Sequence, residues 1–376
     1  MTSDALTCDE RHGAALAALG VPPATLRRLM DGRAPVDAWE AIASGRHEAD
    51  PEGRYRHKAT GAALAAMADA CARTGTAVRV LGGPGYPAAL AADPQAPAVL
   101  FVRGDASVLE GHPRVAVVGT RAATPYGLGM AAELGRDLAG VGVTVVSGLA
   151  RGVDAAAHAG VLGTEHGGAP VGVLGTALDA PTTRADAGLR AAVASRGALL
   201  SEIAPGGASA RWWFSVRNRV LAALAHVVVV VECHHRGGSL HTVEAALARG
   251  VTVGAVPGSV RSPASAGTNR LLVDGAVPVR GADDVLSALE LAIVADPTVV
   301  PPRSRGATRR PRANTPRRDL DASARRVLRS LDHDPATLEV VVTRCGLSIG
   351  ETSLALEALA EVGLAVGVLG WWSRPR

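Results

Sequence analysis

The sequence predicts an α/β protein built on a doubly wound parallel sheet, with a small helical domain before it and a winged-helix domain after it. Three observations carry this. From Thr76 to Ala295, short apolar runs alternate with helix-patterned segments, and the runs are apolar throughout instead of alternating. Strands of that kind have both sheet faces covered, as in parallel sheets wrapped by crossover helices. Residues 1–75 are cut by Gly20, Pro22, Pro23, Gly32 and Pro35 into short segments that suit a helical SAM-like or helix-hairpin-helix domain. After residue 318 the pattern becomes helix, helix–turn–helix and hairpin, the order of a winged helix. At 376 residues the chain exceeds what one compact core organises. The expected domains are 1–75, 76–296 and 319–376, with a linker over 297–318.

The elements follow in chain order. Ala14–Leu19, Ala24–Met30 and Ala38–Ser44 are the helical segments of the first domain. In the second, the strand Val115–Val118 ends at Gly119, and a helix over Gly127–Ala139 is closed by Gly140. Then come strand Val143–Val146, helix Asp154–Leu162, strand Val171–Leu174, helix Ala185–Ser195 and strand Ala198–Leu200. Helix Asn218–Ala225, the five-valine strand Val227–Val231, helix Leu240–Arg249 and strand Val251–Val256 complete the series. Pro297–Arg318 holds five prolines, seven arginines and no acid, and nothing apolar recurs in it, so it reads as an extended tether. The last domain has helices over Ala322–Leu331, Asp334–Arg344 and Ile349–Val362, then strands after Leu364 and Gly370.

Composition excludes several classes. The longest apolar strand run, Val227–Val231, is far short of the roughly 18–20 residues that span a bilayer. The start of the chain has acids at Asp9 and Glu10 where a signal peptide would be cationic. Cys8, Cys71, Cys233 and Cys345 show no C-x-x-C spacing, which fits a reducing cytoplasm and argues against a zinc module. Neither a membrane partner nor a metal is expected. The net charge of +4 is a poor guide to partners. The linker holds seven of the 39 basic residues, and the remaining 32 face 35 acids. No broad basic face is implied, although an arginine-rich tether can hold nucleic acid loosely.

In doubly wound sheets, ligands sit beyond the carboxyl ends of the strands. Here those ends carry Gly119-Thr120-Arg121, Ser147-Gly148-Leu149-Ala150-Arg151-Gly152, Gly175-Thr176, Ser201-Glu202, Glu232 to Ser239 and Pro257-Gly258-Ser259. No G-x-x-x-x-G-K-[ST] is present, and Lys58, the only lysine, lies outside the sheet domain. G-x-G-x-x-G is also missing after the first strand, so an ATPase or a nicotinamide-dependent enzyme is disfavoured and no cofactor is expected. What remains is amides, hydroxyls (Thr120, Ser147, Ser201, Ser239, Thr242) and cations (Arg121, Arg151) at one sheet edge, a phosphate site in chemical terms. Three of the ten aromatics stand together in Arg211-Trp212-Trp213-Phe214-Ser215-Val216-Arg217-Asn218-Arg219, just ahead of a helix. Aromatics among arginines offer base-stacking faces plus charge, although Trp212 and Trp213 serve equally well as core or interface residues. Ser147, Asp154 and His158 look like a nucleophile, an acid and a base. But the G-x-S-x-G elbow is missing, and an i, i+4 Asp–His pair near a helix start reads as a structural contact. Cys233-His234-His235 lacks metal-ligand spacing. In the winged helix, the would-be recognition helix carries Glu351, Glu357 and Glu361 and no cation, so a protein contact is favoured over a DNA groove.

At these residues the sequence resembles the DNA-processing protein A family (DprA, also called Smf). The resemblance rests on Gly119-Thr120-Arg121 with Tyr126-Gly127, Ser147-Gly148-Leu149-Ala150-Arg151-Gly152-Val153-Asp154 with His158, and Ser201-Glu202. Phe214 before Arg217-Asn218-Arg219, Gly238-Ser239-Leu240 with Thr242, Pro257-Gly258-Ser259, and Gly267 with Asn269 and Asp274-Gly275-Ala276 extend it. It runs from about Leu81 to Val279. It implies an extended Rossmann-like domain that homodimerises, in a cytoplasmic, non-enzymatic protein that binds single-stranded DNA and loads the RecA recombinase during natural transformation. Arg121 would grip phosphate, Arg211 would match the family's basic residue three before the phenylalanine, and Phe214 would pack on a base. The expected site is Gly119, Thr120, Arg121, Ser147, Gly148, Arg151, Arg211, Phe214, Arg217, Asn218, Arg219, Gly238 and Ser239. The chain departs from the family at Ala180-Pro181-Thr182-Thr183, where Tyr-Pro is usual, and at Gly237-Gly238-Ser239, where Ser-Gly-Ser is usual. The enzymatic alternative is a nucleotide N-glycosidase of the LOG (lysine-decarboxylase-like) phosphoribohydrolase group, with Glu244 as the acting carboxylate. Its G-G-x-G-T-x-x-E motif is misspaced here, with Ser239 in the place of a glycine.

Overall fold

The computed structural model describes residues 6–293, 321–331, 336–361, 364–368 and 371–374. The expected linker lies outside them. The chain divides into two compact units, within residues 1–305 and 306–376.

The first unit opens with helices α1 (Cys8–Ala17), α2 (Pro23–Met30), α3 (Pro35–Ala43) and α4 (Gly61–Thr74). Strand β1 (Ala77–Val80), the short helix α5 (Ala88–Ala91) and β2 (Val99–Gly104) lead into β3 (Arg114–Val118) and α6 (Pro125–Gly140). There follow β4 (Thr144–Ser147), α7 (Val153–Leu162), β5 (Pro170–Leu174), α8 (Arg184–Arg196) and β6 (Ala198–Ser201). The series ends with α9 (Arg211–Leu224), β7 (Val227–Val230), α10 (Leu240–Leu247), β8 (Thr252–Ala255), α11 (Ala266–Val273), β9 (Val277–Pro278) and α12 (Ala282–Ile293).

Nine strands form one sheet in the order β1-β2-β6-β5-β4-β3-β7-β8-β9. The seven from β6 to β9 are parallel, as the unbroken apolar runs predict. At the β6 edge, β2 and then β1 add antiparallel, an extension that the sequence reading did not contain. The five-valine run shows why such strands are apolar throughout. Val227 and Val229 pack with Val115 and Val117 under α6, α7 and α12, while Val228 and Val230 pack with Ala116 and Val118 under α9 and α10. The first helices do not keep a core to themselves. Leu16, Leu29, Trp39 and Ile42 pack with Val99, Phe101, Leu174 and Leu199 of the sheet. Helix α9 starts seven residues before the expected Asn218. Its buried stripe includes Arg217 and Asn218, which hides the apolar period, and Ala210 supplies no side-chain cap to mark its start.

His158 on α7 is fully buried, and its Nε2 donates to the Val171 carbonyl at 3.2 Å. Burial pulls its pKa down from 6.5 to about 4. Between those values the folded chain binds fewer protons than the unfolded one, so stability falls as the pH is lowered through that window, by about 3 kcal/mol at most. His158→Gln should flatten this part of the acid loss, read by urea denaturation near about pH 7 and about pH 4. An unchanged pH slope would show that His158 does not carry it.

The second unit contains α13 (Ala322–Ser330), β10 (Ala336–Thr337), α14 (Leu338–Cys345), α15 (Ile349–Glu361), β11 (Val366–Val368) and β12 (Trp371–Ser373). Its three strands pair in the order β10-β12-β11. Val327, Val341, Leu356 and Leu359 sit in its core, giving the winged-helix arrangement. Glu351 has a local task, since its carboxylate accepts from Ser348 N at 3.0 Å and Oγ at 2.6 Å and caps α15. Among the described residues no helix is long and apolar enough to cross a membrane.

Candidate functional site

Strand order reverses at β3. The chain runs outward from it through β4, β5 and β6 on one side and through β7, β8 and β9 on the other. A crevice therefore opens between the carboxyl ends of β3 and β7, the place where open α/β sheets bind ligands. It holds a cavity of about 380 Å³. Gly119, Thr120 and Arg121 enter it from β3, Gly238, Ser239 and Thr242 from the turn into α10, and Phe214, Arg217 and Asn218 from α9. The exposed Arg121 guanidinium lies over the Phe214 ring, with Cζ 4.9 Å from the ring centroid. On its other contacts Phe214 leans on Gly175, where an added Cβ would stand 2.9 Å from Phe214 Cδ1. Aromatic face, cation, amides and hydroxyls thus share one opening.

The site is braced from beneath by buried charge. Asp154, at the start of α7, accepts from Gly148 N at 3.1 Å and faces the Arg217 guanidinium. Burial pushes the Asp154 carboxyl above its ordinary range, against the opposing pull of Arg217 and of the Ala150, Gly148 and Gly119 amides. Burial likewise pulls Arg217 down to about 10, opposed by Asp154 and helped slightly by Arg121. Arg217 also donates to the Val173 carbonyl, and to Asn218 Oδ1 at 3.2 Å, while Asn218 Nδ2 reaches Gly238 O at 3.4 Å. A second buried carboxylate, Glu232, accepts from Thr124 N at 2.8 Å and Thr124 Oγ1 at 2.6 Å. It sits at the start of α6, the helix end that a Rossmann pyrophosphate would occupy. The protein's own carboxylate fills that position, which no fingerprint scan reveals because Glu232 comes from the loop that follows β7.

Of the thirteen expected residues, eight line this cavity, and five do not. Ser147 is fully buried, and its hydroxyl donates to the Val117 carbonyl of the neighbouring strand at 2.6 Å, so it faces no ligand. Gly148 lies under Arg217, and a Cβ there would run into the guanidinium. Arg219 points off the opposite side of α9 and pairs with Glu202 at 2.6 Å. Arg151 and Arg211 are exposed on the flanking loop and on the first turn of α9, outside the cavity lining. Arg217 lines the cavity as a group braced on the Val173 carbonyl and Asn218 beside the Asp154 charge, instead of a free phosphate ligand. The Ser147, Asp154 and His158 constellation dissolves, because each of the three is bound to a different partner. The lining also includes Leu221, which the motif reading did not single out. Glu244, needed by the N-glycosidase alternative, is an exposed residue outside the cavity lining, 3.2 Å from His241 Nδ1.

Comparison with known proteins agrees with this architecture. The family model of DNA recombination-mediator protein A matches residues 59–290, and that of the DprA winged helix domain matches residues 311–359. A DNA processing protein DprA of Mycobacterium tuberculosis is 46% identical over 191 residues, 50% of this chain and 49% of that protein. The match thus spans about half the length of that relative. The X-ray structure of DNA processing protein A from Streptococcus pneumoniae superposes with a TM-score of 0.64 at 29% identity, covering 75% of this chain and 98% of that one. DNA processing protein A from Helicobacter pylori, described for its single-stranded DNA binding mode, gives a TM-score of 0.51 at 26% identity, over 57% of this chain and 96% of that one.

Proposed function

Because the chain belongs to the DNA-processing protein A (DprA/Smf) family, we propose that the β3–β7 crevice binds single-stranded DNA. In this reading the protein is a cytoplasmic recombination mediator with no chemical step of its own. It holds incoming single strands and loads RecA on them during natural transformation, as a homodimer joined through the sheet domain, with the winged helix as a protein contact. The observation that carries the reading is the pairing of Arg121 with Phe214 at the mouth of a pocket lined by loop amides and hydroxyls. Duplex DNA hides its base faces, so a stacking ring with one exposed cation selects single strands without strong sequence preference. In the free protein Arg121 covers the ring. Binding then exchanges that cation–π contact for a base on the ring and a phosphate at the guanidinium.

The test is an electrophoretic mobility shift with single- and double-stranded DNA across a salt series. The intact protein should prefer single strands. Arg121→Ala should weaken oligo-dT and mixed-sequence strands alike and lower the salt slope by about 0.7, the value for one phosphate on a single strand. An unchanged affinity at low salt would remove Arg121 from the site.

A further inference from the structure

Helix α9 is a wall between two cavities. Phe214, Arg217, Asn218 and Leu221 form the stripe that faces the crevice. Trp212, Val216 and Arg219, spaced i, i+4, i+7, form a second stripe on the other side of the helix. That side faces a groove of about 850 Å³, more than twice the volume of the crevice, walled by α2, the end of β1 and the segment before β2. Its walls bring Arg27 and Arg28 of α2 opposite Trp212, and the one acid in its lining is Asp31. Trp212 stacks on Trp213 with centroids 4.2 Å apart and planes 22° from parallel, and it is still 46% exposed. One face of the indole is thus fixed by its neighbour, and about half of the side chain is open. Arg27 is steadied by donating to the Ala96 carbonyl at 2.9 Å, and Arg28 is exposed beside it. Between the two cavities lies the first turn of α9, which has no side-chain cap, no acidic residue and the exposed Arg211.

We infer that this groove is a second subsite for the same nucleic acid strand. Nucleotides leaving the crevice cross the N-terminal turn of α9, where phosphate meets free amides and Arg211. They then enter the groove, where a base stacks on Trp212 and phosphates lie against Arg28 and Arg27. The occupant is a single strand because the groove repeats the chemistry of the crevice, an open aromatic face among arginines, and because the two flank the same N-terminal end of α9. The inference rests on the reading of the crevice as a single-strand site.

Fluorescence anisotropy with labelled oligo-dT of about 5 and about 20 nucleotides tests both readings separately. Phe214→Ala should weaken both lengths. Trp212→Ala and Arg28→Glu should leave the short strand within about twofold and weaken the long one about tenfold, with Trp212→Phe retaining most of the affinity. Arg28 is exposed, so its replacement does not put folding at stake. If Phe214→Ala weakens both lengths while Arg28→Glu and Trp212→Ala change neither, the groove is not part of the strand path, and a protein partner becomes its occupant. If those two variants weaken both lengths equally, the groove is not a separate subsite. If Phe214→Ala changes neither length, the crevice reading itself fails, and the groove proposal falls with it.

Discussion

Replacing Arg217 by leucine should destabilise the sheet unit by about 3–5 kcal/mol, because it leaves the Asp154 carboxylate buried without its cation. The cost should shrink as the pH is lowered. With Arg217 gone, burial raises the folded-state pKa of Asp154 further above its unfolded value. The folded variant then takes up a proton that the unfolded one does not, and stability rises as the pH falls through that window. Urea denaturation at several pH values measures both effects. Combining Arg217→Leu with Asp154→Asn should recover part of the loss, since the removed charge no longer needs a partner. A double variant as unstable as Arg217→Leu alone would mean that the lost guanidinium contacts to Val173 and Asn218, and not the uncompensated Asp154 charge, set the cost.

Phe214→Ala should lower single-strand affinity by about 1–3 kcal/mol, roughly tenfold to a hundredfold, while leaving the salt slope unchanged. The ring carries no charge, so its loss releases no counterion difference. Folding should survive, because the ring is only partly buried and leans on a glycine at the sheet edge. Titration of a labelled oligonucleotide at several salt concentrations measures it. A slope that falls with the affinity would show that the ring acts by holding Arg121 in place rather than by stacking on a base.

Both predictions concern α9, the element that sequence patterning placed least well. The aromatic and arginine cluster stands out in a chain with ten aromatics, so its importance is legible. Its conformation is not. A helix is recognised by an apolar stripe, and here two positions of that stripe are Arg217 and Asn218, buried only because Asp154 and the loop at Gly238 supply their partners. The arginines look equivalent in sequence. In the fold, Arg219 pairs with Glu202 and Arg217 is buried on the Val173 carbonyl and Asn218 near the Asp154 charge, while Arg121, Arg151 and Arg211 stay exposed. Ser147 has the right position in a glycine-rich loop, yet the register of β4 beside β3 turns its hydroxyl onto the Val117 carbonyl.

By itself, the sequence determined the parallel sheet and the edge at which its ligand loops gather. Strands covered on both faces must be apolar at every position, and the turns that follow them must be rich in glycine. The order of helix, helix–turn–helix and hairpin made the winged helix legible, and in the fold Gly346 closes α14 while Ser348 and Glu351 cap α15. The tertiary structure alone decided which polar groups face the crevice. That choice depends on carboxylates and carbonyls from distant strands, which consume some cations and hydroxyls and leave others free. It also placed α2 across from α9, forming a groove from segments that the sequence reading had kept in separate domains.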